Sequence, residues 1–443
     1  MQPFGVCMAA QLKVKHPLPG QFGLPLDLPE GHYDLLHREQ RGVVLHWERQ
    51  SARQWIKLKP GDPRIPEILR LDRGREDRFI SVNEFDGWRY VRLLRSLRAL
   101  YVDLDDQTDA YAVLDRLAQS RIPAPGVIVS SGSGLHLYWL LEPLPPQTLP
   151  VWQRCQDTLI RILKPLGSDP ACRDCTRVLR LVGTKNKGED VKALVLDGQR
   201  WGLRQIAFEI LGTEGKGQKP QGEIRDIRAR RKTPDRAIQG SIYARWHLVY
   251  QDLLRISEHH GHRIPEGHRD KWLFLCSVAL SWFTHPAGIE DEIMSLGRDH
   301  TDLDEREIRQ ALDPSLKRAL QAAAGDKLSW NGKEIDPRYR FKRQTLYDWI
   351  GDLIPDALLP TMRAIIPDTE AKRRKAERDA AREETRDRTK EGRYSTNYTK
   401  AGVRASNEQK RNTARLMRDM GRSCREIGAE LGVSYQTVIR WTR

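Results

Sequence analysis

From residue 41 to about 210 the chain is a succession of short strand-like runs: GVVLHW, QWIKLK, RFISVN, LYVDLD, GVIVSS, LHLYWLL, RVLRLV and KALVLD. Helical patterns interrupt them at 107–119 (QTDAYAVLDRLAQ) and at 151–164 (VWQRCQDTLIRILK). That mixture predicts an α/β or α+β domain. The fourth run adds a sharper constraint. In SLRALYVDLDDQ, residues 96–107, Leu100, Val102 and Leu104 alternate with Tyr101, Asp103 and Asp105, which is the period of a β-strand. Asp103 and Asp105 therefore share a face. Two like charges that close are costly unless something neutralises them.

The chain's 443 residues are enough for two or three domains, and 39% hydrophobic content with 30% charged suits folded cores. No apolar run approaches the ~18–20 residues of a membrane span, and the opening MQPFGVCMAAQLKVKHPLPGQFG lacks the build of a signal peptide. Six cysteines, at 7, 155, 172, 175, 276 and 424, are too scattered for a disulfide framework. The expectation is a cytoplasmic protein with no membrane partner. A formal charge of +15 gives sequence-independent attraction to a polyanion, of which nucleic acid is the commonest.

Composition shifts divide the chain. Residues 1–40, with many Pro and Gly, read as an N-terminal arm, and 41–211 as the mixed domain. A Gly- and Lys-rich basic linker follows at 212–239, then a helical accessory domain at 240–362. Residues 363–406 are a charged linker and 407–443 a separate terminal module. In that module Ile427, Ala429, Leu431, Val433, Val438 and Ile439 fall at the spacings of two short helices around a turn. Ser423 and Ser434 stand where N-caps belong, and Gly432 where the turn needs a permissive residue. This resembles a resolvase-like helix-turn-helix with 434–442 as the recognition helix. Ser434, Tyr435, Gln436, Thr437 and Arg440 are then the residues placed to reach DNA base edges.

Two later stretches supply what the paired aspartates lack. VIVSSGSGLHLYWLLE, 127–142, reads as strand, Gly/Ser turn and strand, with His136 on the second strand. Such a turn lets backbone N–H groups approach a phosphate, with Ser131, Ser133 and His136 beside it. GSDPACRDCTRVLRLVGTKNK, 167–187, adds Asp169 and Asp174 and then Arg177, Arg180, Lys185 and Lys187. Carboxylates next to cations are what a Mg²⁺- or Mn²⁺-dependent triphosphate site requires. Cys172 and Cys175 form a C-x-x-C here, but a zinc site needs about four ligands, so local packing is the reading.

The order strand-D-x-D, then SGSGLHLYW, then SDPACRDCTRVLRLVGTKN resembles the archaeo-eukaryotic primase superfamily, and within it the RepB-like primases of plasmids and phages. The resemblance spans about 78–200. It implies an α+β primase-polymerase domain with a central, mostly antiparallel sheet. It also implies two-metal nucleotidyl transfer that lays primers on a single-stranded DNA template from NTPs or dNTPs. Asp103 and Asp105 would be the first two metal ligands, and Asp169 the third, with Asp174 as the alternative. His136 would touch the incoming nucleotide's phosphates, and Arg177, Arg180 and Lys185 would bind phosphate or template. The family's tighter Ser-x-His would place a serine at 134, where this chain has Gly134, so the serine contact moves to Ser131 or Ser133.

Absences narrow the role further. No G-x-x-x-x-G-K-[ST] occurs, so a separate helicase is expected. No H-hydrophobic-H motif accompanies a candidate nicking tyrosine. The functional expectation is a replication primase of a plasmid or phage-like element that also binds duplex origin DNA. The rivals are a non-catalytic DNA-binding initiator or regulator and a metal-dependent nuclease using the same carboxylates.

Overall fold

A computed structural model describes residues 24–49, 55–107, 109–212, 241–393 and 400–442. Apart from a hairpin of Leu328–Trp330 and Lys333–Ile335, its described strands are, in chain order, β1 (Leu24–Leu26), β2 (Val44–Glu48), β3 (Trp55–Leu58), β4 (Arg78–Ser81), β5 (Glu84–Phe85) and β6 (Leu94–Leu104). There follow β7 (Val127–Ser130), β8 (Leu135–Leu144), β9 (Val178–Arg180), β10 (Lys185–Asn186), β11 (Glu189–Asp190) and β12 (Lys192–Val195). All eight strand-like runs of the sequence appear among them. They assemble into a six-stranded sheet of order β1-β12-β7-β8-β6-β5 and a four-stranded sheet of order β3-β2-β4-β9. Every pairing in both sheets is antiparallel. With its many helices, the fold is α+β.

Strand β6 is the long central element. Leu97, Leu100, Val102 and Leu104 are at most 1% exposed, and burying each such side chain stabilises by about 1.5–3 kcal/mol. The helix Leu149–Leu163 packs on it through Trp152, whose Nε1 donates to the Ala99 carbonyl at 2.9 Å. β5 pairs with the start of β6, at Leu94 and Ser96, so the far half of that edge has backbone groups to satisfy. Gln156 meets both backbone groups of Tyr101. The segment around 167–172 completes the edge, and this docking builds the site described below.

One expectation fails at the N-terminal side. Residues 24–37 are not an arm: β1 pairs with β12, and the helix Pro29–His37 buries His32, Tyr33 and Leu36. Pro29 at the helix start and the apolar Tyr33–Leu36 spacing make a helix of a stretch whose Pro and Gly content read as extended.

The helices Ile242–His259, Arg269–Leu280, Pro286–His300 and Glu305–Ala324 follow. They are anchored to the sheet region by Glu292, whose carboxylate accepts from the amides of Val91 and Arg92 at 2.7 and 2.9 Å. Asp252 likewise accepts from the amides of Arg363, Ala364 and Ile365. Those residues thus belong to this helical part and not to the charged linker. The chain divides between Ile366 and Pro367. In the second unit the helices Lys400–Asp419, Cys424–Leu431 and Tyr435–Thr442 share a core of Ala414, Ile427, Val438 and Trp441. Among the described residues no helix is long and apolar enough to cross a membrane.

Candidate active site

The open edge of β6 explains how distant carboxylates meet. The Asp105 amide donates to Gly167 O at 3.2 Å, and the Asp169 amide donates to Asp103 O at 2.9 Å. The Asp103 amide in turn donates to Cys172 Sγ at 3.2 Å. This stitching sets Asp169 beside Asp103. Ligand atoms of Asp103, Asp169 and Cys172 all lie within 4.8 Å of one another. Asp169 also caps the short turn Pro170–Arg173, one oxygen accepting from the Ala171 amide at 2.8 Å.

Across the sheet, Asp103 stands opposite His136 on β8, with 3.5 Å between Oδ1 and Nε2. Arg177 bridges the carboxylates, its guanidinium 2.6 Å from Asp169 and 3.9 Å from Asp103. At an effective dielectric near 20, two carboxylates this close repel by about 3–4 kcal/mol. Partial burial, and then the Asp103 and Asp169 charges, hold Asp105 above the ordinary carboxylate range. Asp103 and Asp169 against one guanidinium leave a negative charge uncompensated, and Asp105, outside that 4.8 Å group, stands two residues further along the chain. A divalent cation fits that deficit, and hard oxygen donors suit Mg²⁺ or Mn²⁺.

Cys172 is the member the sequence reading set aside. Burial, and then the Asp103 charge, push its thiol well above the usual range. Its Sγ is the acceptor for the Asp103 amide. Asp174, the alternative third carboxylate, lies apart from the cluster. Its Oδ1 accepts from the Thr176 amide and hydroxyl at 2.8 and 2.7 Å, which makes it a turn-forming residue. Burial also lowers the His136 pKa, against the pull of Asp103. Its Nδ1 is buried without a hydrogen-bond partner.

The remaining predicted residues separate. Gly134 is a steric requirement: a Cβ there would lie 2.2 Å from the Leu104 carbonyl oxygen, so no serine fits next to the aspartate strand. Ser131 is buried, with its carbonyl accepting from Asn186 at 2.6 Å, while Ser133 is exposed. Arg180 is paired with Asp77 at 2.7 Å and lies over the Phe79 ring. Lys185 pairs with Asp190 at 3.0 Å on the β10–β11 hairpin, and Lys187 is exposed. Of the cations predicted for phosphate, the structure brings Arg177 alone onto the carboxylates among the described residues.

In the terminal unit Ser423 forms a capping box with Glu426, and Gly432 takes a left-handed φ of +64°. Ser434, Tyr435, Gln436 and Arg440 are exposed, and Thr437 is half-buried, its amide bonded to Ser434 Oγ at 3.3 Å. Of the apolar residues at helical spacing, Ala429 and Ile439 are exposed, and Trp441 joins Ile427 and Val438 in the interior.

No family model matches the chain. In sequence it is 25% identical over 338 residues to a replication protein of Clostridium perfringens, across 72% of this chain and 75% of that protein. In structure it aligns with the AEP domain of the cyanophage S-2L primase-polymerase, at 20% identity and a TM-score of 0.32. That alignment covers 41% of this chain and 96% of the domain. It also aligns with the crystal structure of the primase RepB′ at 13% identity and a TM-score of 0.26, over 67% of this chain and 98% of that one. Scores this low establish no shared fold by themselves. The chain is similar in sequence to a replication protein.

Proposed function

We propose that this chain is a DNA primase-polymerase of a plasmid or phage-like element, a nucleotidyltransferase that makes primers on single-stranded DNA. One observation carries the reading: Asp103 and Asp169, 66 positions apart in the sequence, are stitched side by side on an open strand edge with Asp105 adjacent. A pure DNA binder gains nothing from carboxylates that repel phosphate. Asp103, Asp105 and Asp169 would hold Mg²⁺ or Mn²⁺, which when bound supplies activation of a 3′-hydroxyl and neutralisation of a triphosphate. Arg177 would move from the carboxylates to the nucleotide's phosphates as the ion takes over charge balance. His136 would donate to a phosphate oxygen from Nε2, the ring nitrogen that faces Asp103, and the Ser131–Gly134 turn would line the same side. The terminal unit would bind duplex origin DNA through Ser434, Tyr435, Gln436, Thr437 and Arg440. A separate helicase would open the duplex.

The test is primer synthesis on circular single-stranded DNA with labelled NTPs or dNTPs and Mg²⁺ or Mn²⁺. Short products are expected from the wild type and none from Asp103→Ala/Asp105→Ala, with DNA binding intact. Undiminished synthesis by that variant contradicts the proposal. The 2.6 Å Arg177–Asp169 pair, which already offsets one carboxylate, favours the second reading of a non-catalytic initiator. No product with either metal, while DNA binding persists, would select it.

A further inference from the structure

Away from the carboxylates, one face of the four-stranded sheet carries a continuous row of rings. The register places Trp55 opposite Trp47, Trp47 opposite Phe79, and Phe79 opposite Arg180. The row therefore crosses all four strands on one face. The rings of Trp47 and Trp55 are stacked at 5.4 Å and 13°, and those of Trp47 and Phe79 lie 4.9 Å apart. The opposite face is the packed one, with Val44, Leu58 and Ile80 buried against the helices Pro29–His37 and Ile65–Leu71. Trp47, Trp55 and Phe79 stay half-buried. Cations accompany them: Arg180 lies 4.8 Å over Phe79, Arg89 5.1 Å over Trp55, and Lys57 5.8 Å over the adjoining Trp88. At its inner end the row reaches Arg180, three residues beyond the Arg177 that binds Asp169.

We propose that this row is a track for single-stranded DNA, leading a template strand to the carboxylate cluster. Bases unpaired from a partner strand present π-faces that stack on such rings without regard to sequence, while flanking cations take the phosphates. The net charge of +15 is complementary to that ligand. Paired bases in a duplex offer no free faces to the row. The word template rests on the primase reading; the binding itself does not.

The experiment compares the full chain with Trp47→Leu/Trp55→Leu, which keeps apolar side chains without rings, and with Trp47→Phe/Trp55→Phe, which keeps rings. Affinity for labelled oligothymidylate and for a hairpin duplex is measured by anisotropy at fixed salt. The Leu variant should lose roughly 5- to 100-fold in oligothymidylate affinity, the range of one lost base stack. The Phe variant should retain most of it, and duplex affinity should be unchanged in both. Unaltered oligothymidylate affinity in the Leu variant overturns the track, as does an equal loss for duplex. Primer synthesis is measured in parallel. A wild type that makes no primer while the Leu variant loses single-strand affinity sinks the primase reading and leaves the track standing. Synthesis with normal affinity in the Leu variant does the reverse.

Discussion

The surroundings of Asp103 and of Ser434 carry their polar residues in opposite ways. Around Asp103 polar groups hold one another: amide to thiol, amide to carbonyl, carboxylate to guanidinium. Buried Tyr101 and Tyr138 lie on the same face of the sheet as Asp103 and His136. Around Ser434 the polar residues face outward from a core of four buried side chains. The first arrangement fixes positions to fractions of an ångström, which chemistry needs. The second exposes a surface, which is what contact with another molecule needs.

The contrast can be broken most forcefully at the small core. Trp441→Ala removes its largest member, and large-to-small changes of this kind cost about 3–5 kcal/mol. The three-helix unit should unfold in a separate, low-temperature transition by circular dichroism, with duplex binding lost and primer synthesis kept. A single unchanged transition would contradict the independence of the two units.

Gly134→Ser sharpens the other side. Its Cβ meets the Leu104 carbonyl oxygen at 2.2 Å, and such overpacking costs about 1–3 kcal/mol. Thermal stability of the sheet unit should fall, together with primer synthesis, while the terminal unit melts as before. A serine tolerated without loss would mean that the close approach of these strands is not required.

The smallest effect is one of pH. Burial, and then the His37 and His136 rings, push His32 down to about 3. The folded chain therefore leaves this ring neutral where the unfolded chain protonates it, below about 6.5. Its contribution to stability is complete above pH 6.5 and is lost as the pH falls toward 3, amounting to about 2 kcal/mol at pH 5. His32→Gln, which keeps an acceptor for the Val182 amide, should flatten denaturant stability between pH 6.5 and 5. Residues 367–443 contain no histidine, so the terminal unit should show no such slope. Equal slopes in wild type and variant would contradict the assignment.

Much of this was legible in the sequence because the signals were local. Period-two alternation marked β6, and Ser423, Gly432 and Ser434 marked the terminal helices, since caps and turns depend on neighbours a few residues away. The docking of 167–172 onto β6 rests on backbone hydrogen bonds, which leave no trace in side-chain pattern. That is why Asp169 and Asp174 stay alternatives in the sequence. The ring row was hidden for a related reason: Trp47, Trp55 and Phe79 become neighbours through strand register. Residues 24–37 misled through composition, with Pro29 starting a helix and not ending one. Arg180 stands apart from the carboxylate cluster, paired with Asp77, a position that strand register sets and motif spacing alone does not.

The central claim is that Asp103 and Asp169 form a cation site completed by Asp105. Mn²⁺ binding, followed by electron paramagnetic resonance on the full chain and on Asp103→Asn/Asp169→Asn, addresses it without reference to activity. The account predicts bound Mn²⁺ in the wild type, displaced by excess Mg²⁺, and its loss in the variant. Equal binding by both proteins would contradict it.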